Sequence, residues 1–250
     1  MTYDFEWHKS HGDQTSASAH VIVSRLKSII EIGSVLDVGC GDGRWLACFQ
    51  SSGVSTICGV DGAWTDQTRL LISKHDFKVQ DLSKPFDLGQ RFDLAMSLEV
   101  AEHVGSEYSV QFVQNLTNHS DIVLFGAAVP FQQGFRHINE RWQSYWAGLF
   151  DSQGYKCFDP LRSQIWVRED VSVWYKQNML LYVKRGRHDL ISRVRSYLDS
   201  NRINEMPIDV VHPERYEAIA SYSQIAFKPL MRKLPKQTAK KLWDIVRGKI

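Results

Sequence analysis

The chain has no apolar run long enough to cross a bilayer: its longest candidate, residues 122–129, holds eight residues, where a spanning helix takes about 18 or more. A soluble protein is the expectation. Only four cysteines occur, at 40, 48, 58 and 157, with no CxxC pair and no zinc-finger spacing. A chain this long needs no disulfide staples, so reduced thiols and a cytoplasmic setting are expected. Residues 1–10 carry Asp4, Glu6 and His8 where a secretory signal needs a basic start and an apolar stretch, so export is not expected. Net charge is also scarce, at +2. It is uneven: residues 228–250 hold eight Lys or Arg against Asp244, a net of +7, which leaves the first 227 residues at −5. A mildly acidic body argues against a broad phosphate-binding face, because nucleic-acid affinity rests on clustered cations. What is present is ordinary globular composition, 43% hydrophobic and 23% charged, which excludes collagen-like and largely disordered chains.

Periodicity gives the organisation. Residues 16–31 read as an amphipathic helix, with Val21, Ile22, Leu26, Ile29 and Ile30 at helical spacing. Short β-rich runs then alternate with helical ones, at 34–38, 56–60, 77–80, 92–98, 122–129, 155–158 and 179–183. Such alternation implies βαβ units on a mostly parallel sheet with helices on both faces. Beyond about residue 187 the strands stop, and 187–200, 211–226 and 238–246 read as helices. The expected division is therefore an α/β domain over 1–186 and a basic, helical C-terminal extension over 187–250.

Val35-Leu36-Asp37-Val38-Gly39-Cys40-Gly41-Asp42-Gly43 is an apolar strand running into a glycine-rich turn, and 44–50 then look helical. Glycines there let a ligand lie against bare main chain at a helix N-terminus. The spacing is GxGxG and not the dinucleotide GxGxxG, and Asp42 stands where a pyrophosphate would be repelled. A nucleoside ligand without phosphates fits better. Asp61 follows the second strand, where a carboxylate accepts ribose hydroxyls. Asp81 follows the third, placed to accept from an adenine amino group while Leu82 and Trp64 flank the ring. Over about residues 16–185 the chain resembles the class I S-adenosylmethionine-dependent methyltransferases. The resemblance implies a Rossmann-like fold with a seven-stranded sheet, and S-adenosylmethionine held by Asp37, Gly39, Cys40, Gly41, Asp61, Gly62, Trp64, Asp81, Leu82 and Leu98.

The fourth strand leads into Glu99-Val100-Ala101-Glu102-His103-Val104 at the carboxyl edge, where open α/β sheets bind ligands. If this segment starts a helix, residues 99, 102 and 103 share one face. Two carboxylates and an imidazole so close call for a cation, and mixed oxygen and nitrogen donors suit a divalent metal. Past the fifth strand comes Arg136-His137-Ile138-Asn139-Glu140-Arg141-Trp142. ExxEH followed by RHxxExW resembles the metal-dependent 2′-O-methyltransferases of small-RNA 3′ ends, and the ExxEH alone resembles ubiquinone-pathway O-methyltransferases. That resemblance makes Glu99, Glu102, His103 and His137 the expected ligands of Mg²⁺ or Mn²⁺ gripping a vicinal diol. Without a metal, His103 or His137 would be the general base, oriented by Glu102 or Glu140.

Aromatics and amides crowd His137, Asn139, Glu140, Trp142, Tyr145 and Trp146, then Arg162 and Trp166, then Trp174, Tyr175, Gln177 and Asn178. Such a mixture suits a sugar ring, and a sugar or glycan acceptor is the preferred expectation. The blander account makes Trp142, Tyr145 and Trp146 the apolar face of a core helix. The stretches 131–183 and 211–216 also resemble bacterial methyltransferases associated with glycan assembly, which implies work in polysaccharide or glycoconjugate biosynthesis. RNA is the rival acceptor, disfavoured by the acidic body. The basic C-terminus could lie on an acidic membrane surface, although such a run is more often a solvated helix. Arg44, Asp66 and His119 receive no role.

Overall fold

The computed structural model describes the backbone of residues 5–220 and the side chains of 13–220. Helix α1 (Phe5–Ile29) leads into β1 (Ser34–Val38), α2 (Arg44–Ser51), β2 (Thr56–Asp61), β3 (Phe77–Val79) and β4 (Leu94–Leu98). Then follow α3 (Ser109–His119), β5 (Ile122–Gly126), α4 (Gln143–Ser152), β6 (Tyr155–Phe158), the short α5 (Arg162–Ile165) and α6 (Val173–Asn178), β7 (Leu180–Lys184), α7 (His188–Ser200) and α8 (Pro213–Ala220). The seven strands form one sheet in the order β3-β2-β1-β4-β5-β7-β6. β7 runs antiparallel to both its neighbours, while the β3-to-β5 part is parallel.

The strand sequences explain this arrangement. β4 (LAMSL) and β5 (IVLFG) are buried at every position, as continuous apolar runs are when helices cover both faces of a parallel sheet. One core cluster sits under α1, α2 and α7, through Ile22, Leu26, Leu46, Phe49, Val194 and Leu198. The opposite cluster sits under α3 and α4, through Phe112, Leu116, Trp146 and Phe150. Truncating such a side chain to alanine costs roughly 2–5 kcal/mol.

The expected strands are all present: β1 and β6 match, β2 is one residue longer, β7 is shifted by one, and β3, β4 and β5 are trimmed. Phe92 makes only an isolated bridge to Ser120 before β4 begins, and β5 leaves the ladder at Gly126 although Ala127, Ala128 and Val129 stay buried. The domain boundary needs correction. The first compact unit runs to His212 and not to 186, because Val194 and Leu198 of α7 are buried in the core. The second unit begins at Pro213 and its described part is α8. The remainder of the helix expected over 211–226, the helix over 238–246 and the basic tail lie outside the described residues. Among the described residues, no helix is long and apolar enough to cross a membrane.

The five parallel strands end at one edge. Between β1 and β4 the strand order reverses direction, so their following loops diverge and leave a crevice at their carboxyl ends. The turns after β1 to β5 all open onto it.

Candidate active site

The turn after β1 is possible only with glycine where it meets β4. Gly39 has φ of 87°, and a Cβ there would lie 2.4 Å from Val100 Cγ1. The N–H of Gly41 donates to Asp61 Oδ2 at 2.7 Å and that of Gly62 to Asp61 Oδ1 at 2.6 Å, so the second-strand acid pins the first turn. Asp37, only 3% exposed, has its carboxyl pushed up to about 8 by burial and then by the charges of Asp61 and Asp42. A ligand bringing positive charge would relieve that cluster. The reason given above for Asp42 changes: its Oδ2 pairs with the Arg44 guanidinium at 2.8 Å, and Arg44 also donates to Ser16 Oγ at 3.0 Å. Arg44 offsets Asp42, and the acidity facing a ligand comes from Asp37 and Asp61.

Gly39, Asp61, Trp64, Asp81, Leu82 and Ser83 from the loops after β1 to β3 line a cleft of about 620 Å³. Trp64 is 78% exposed and its ring covers the position where a Cβ of Gly62 would stand, leaving a free aromatic face. Asp81 Oδ1 accepts from Ser83 N–H and Oγ at 3.1 and 2.6 Å, which with Lys84 holds its carboxyl low. Cys40 and Leu98 are buried in the core, and burial pushes the Cys40 thiol up.

The loops after β4 and β5 supply the other wall of the same cleft, including Glu99, Val100, His103, Tyr108, Phe135 and Arg136. The helical face expected for 99, 102 and 103 does not form. Glu99 turns left-handed, with φ of 57°, and residues Ala101–His103 make a single 3₁₀ turn. As a result Glu99 parts from the other two. Its Oε2 accepts from Gln132 Nε2 at 2.6 Å and its Oε1 from Asn178 Nδ2 at 2.7 Å. Gln177 Nε2 braces this cluster through Gln132 Oε1 and Asn178 Oδ1 at 3.2 and 2.9 Å. Burial nevertheless pushes the Glu99 carboxyl up to about 7. Glu99 stays outside the donor cluster that Glu102, His103 and His137 form, each of its oxygens accepting one amide hydrogen bond.

Glu102, His103 and His137 do converge: one donor atom from each lies within 4.8 Å of the others. Glu102 is 1% exposed, its Oε2 has no hydrogen-bond partner, and burial with the nearby Glu99 charge raises its carboxyl well above the usual range. The carbonyl of Glu102 accepts from Ile138 and Asn139 N–H at 2.9 and 3.0 Å, which brings the loop after β5 onto the turn after β4. His137 Nδ1 donates to Glu140 Oε1 at 2.9 Å, while its Nε2 lies 4.0 Å from Glu102 Oε1. Glu140 also accepts from Phe131 and Gln133 N–H, each at 2.8 Å. It therefore orients His137 and organises the loop. The His103 and His137 rings meet edge to face at 4.9 Å, and burial with the neighbouring His137 lowers the His103 pKa.

Much of the aromatic and amide stretch read as a sugar face is structural. Trp146 is 1% exposed, and Gln177 and Asn178 are 1% and 2%, so the core-helix account holds for Trp146. Arg162 is fully buried and bound to Asp159 and to the carbonyls of Pro207 and Ile208. His119 hydrogen-bonds internally to Asn115 and Leu88, and Asp66 closes a local turn with Thr68. The sequence reading missed Gln132, Tyr108 and Phe135. The last two are exposed aromatics on loops leaving the carboxyl edge, a position that could have marked them.

This fold, with an acidic glycine turn and a cleft at the strand reversal, is the Rossmann-like fold of the class I S-adenosylmethionine-dependent methyltransferases. Residues 13–160 match the family described as a methyltransferase domain, and the chain belongs to that family. No curated protein matches the sequence. Among solved structures, the sugar N-methyltransferase KedS8 from Streptoalloteichus sp ATCC 53650 is 16% identical with a TM-score of 0.56, over 74% of this chain and 93% of that one. The amino pentose methyltransferase CalS10 from Micromonospora echinaspora, solved with S-adenosylmethionine bound, is 15% identical with a TM-score of 0.53, over 74% and 98%. The methyltransferase domain of bacterial CtHen1-C is 17% identical with a TM-score of 0.51, over 68% and 98%.

Proposed function

We propose that the protein is an O-methyltransferase acting on one hydroxyl of a sugar or glycan vicinal diol, with a divalent cation, Mg²⁺ or Mn²⁺, held by Glu102, His103 and His137. The observation that carries this reading is the unpartnered Oε2 of buried Glu102 within a three-donor cluster. A buried carboxylate oxygen without a partner is costly, and a cation among these donors would remove the cost. His137 donating one ring nitrogen to Glu140 leaves the other free to ligate, the usual support of a metal-bound histidine.

S-adenosylmethionine would supply an electrophilic methyl group on its sulfonium and leave as the neutral thioether, the acceptor hydroxyl giving up its proton to water. A divalent cation supplies Lewis acidity that lowers the pKa of a coordinated hydroxyl. On this reading Asp61 and Asp81 would hold the ribose and adenine, Trp64 and Leu82 the ring faces, and Asp37 the amino end. Glu102, His103 and His137 fix the acceptor edge, and three protein donors leave coordination positions open for two adjacent hydroxyls. The shared fold of KedS8 and CalS10 is compatible with acceptors of this size.

One observation favours a metal-free variant. His103 lines the cleft and its lowered pKa keeps it neutral, so it could itself take the hydroxyl proton.

The test is transfer of labelled methyl from S-adenosylmethionine to sugars, glycans, catechols and short RNAs, with Mn²⁺ or with chelator. Transfer to diol-bearing sugars that requires the ion and is lost in Glu102→Ala is the expected result. Full activity under strong chelation would support His103 as base, and transfer confined to RNA would overturn the sugar assignment.

A further inference from the structure

We propose that Arg136 is an anion subsite for the acceptor, so that the methylated sugar carries a carboxylate or phosphate beside its diol; this rests on the acceptor reading above. Among the described residues lining the cleft, Arg136 is the one arginine or lysine, against Asp61, Asp81 and Glu99. Its guanidinium makes no ion pair among the described residues. Elsewhere Arg44, Arg91, Arg162 and Arg187 each pair with an aspartate.

The backbone holds Arg136 at this spot. Its φ is 59°, a left-handed conformation uncommon for a non-glycine residue and shared in this loop with Phe131 and Gln133. Its contacts come from the catalytic turn. The His103 ring Nδ1 lies 3.3 Å from the Arg136 carbonyl, and Ile138 and Asn139 bond to the Glu102 carbonyl just beyond it. Arg136 therefore sits next in sequence to one proposed ligand, His137, and its carbonyl is within reach of another, His103.

The guanidinium lies over the Phe135 ring at 5.1 Å from its centroid. A cation–π contact does not consume the guanidinium N–H donors, which remain for a bidentate anion. Exposed Phe135 and Tyr108 add ring faces on which a sugar can rest.

The test uses full-length protein saturated with S-adenosylhomocysteine and Mn²⁺. Binding of glucose, glucuronic acid and glucose 1-phosphate is measured by equilibrium dialysis, and methyl transfer to each is measured separately. A charge-assisted contact predicts binding of at least one anionic sugar about ten- to a hundredfold tighter than glucose. The two anionic arms distinguish carboxylate from phosphate. In Arg136→Ala the ratio should fall to about threefold or less, while Arg136→Lys, which keeps the charge but not the fork, should retain part of it. Equal binding of all three sugars, or a preference that survives Arg136→Ala, overturns the subsite. Anion-selective binding without transfer to any sugar overturns the sugar-acceptor reading and upholds the subsite. Transfer without discrimination does the reverse, and neither binding nor transfer overturns both.

Discussion

Gly134→Ala puts the proposed metal centre under a defined strain. A Cβ at this position would lie 2.0 Å from His137 Nε2, 2.3 Å from Cε1 and 2.6 Å from Cδ2. Non-bonded heavy atoms settle at about 3.5 Å or more, so the ring edge must retreat by about 1.5 Å. It cannot slide freely, because Nδ1 is tied to Glu140 Oε1 at 2.9 Å. The atom that must move furthest is Nε2, the nitrogen facing Glu102. Metal–ligand distances tolerate about 0.2 Å, so the displacement removes or badly misplaces one donor of three. Disturbing a ligand's support costs about 10- to 100-fold in metal affinity, or about 1.4–2.7 kcal/mol. The assay is calorimetric titration of Mn²⁺ into wild type and Gly134→Ala, both saturated with S-adenosylhomocysteine. Gly134 is exposed and is not among the residues with positive φ, so the variant should fold and keep its cofactor affinity. Unchanged Mn²⁺ affinity, or a wild type that binds no Mn²⁺, would refute the reasoning.

Three further outcomes follow from the same geometry. Trp64→Ala should weaken S-adenosylhomocysteine binding by about 5- to 150-fold, the worth of about 1–3 kcal/mol of stacking on a base, and calorimetry showing no loss would remove Trp64 from the adenine site. Glu99→Gln should lower stability by about 1–3 kcal/mol, because its amide must set a donor against that of Gln132 or Asn178; denaturant unfolding measures this, and Mn²⁺ stoichiometry should stay the same. Turning either neighbour over gives no escape, since the Gln132 and Asn178 side-chain oxygens already accept internal bonds. Burial pushes the Asp37 carboxyl up to about 8 and the Glu99 carboxyl up to about 7, well above the ordinary carboxylate range near 4. Protons held only by the folded chain are lost as pH rises through that window, so ligand-free stability should fall between about pH 4 and pH 8. Asp37→Asn should flatten the fall, and a Tm that rises across the window would contradict the assignment.

The sheet was legible because its strands are short apolar runs whose periodicity differs plainly from that of helix α1. The glycine turn was legible from Gly39, Gly41 and Gly43 with Asp61 and Asp81 at the ends of later strands. The acceptor side was legible only in part. A sequence shows that 99, 102 and 103 would share a helical face, but not that Glu99 adopts φ of 57° and turns onto Gln132 and Asn178. Those amides come from distant segments, and only the folded sheet brings them together. Arg162 and Trp146 looked like ligand-binding chemistry because burial of a guanidinium or an indole depends on partners such as Asp159 and Phe125 that no local pattern reveals. Helix α7 read as an extension for the same reason: Val194 and Leu198 meet their core only in three dimensions.

The central claim is that Glu102, His103 and His137 hold one divalent ion at the acceptor edge. Its most direct test is a crystal grown with S-adenosylhomocysteine and Mn²⁺, measured at the manganese absorption edge. A single anomalous peak within bonding distance of all three side chains, with Glu99 still on its amides, is the predicted result. No peak there, with Glu102 Oε2 still unpartnered beside bound product, would contradict it.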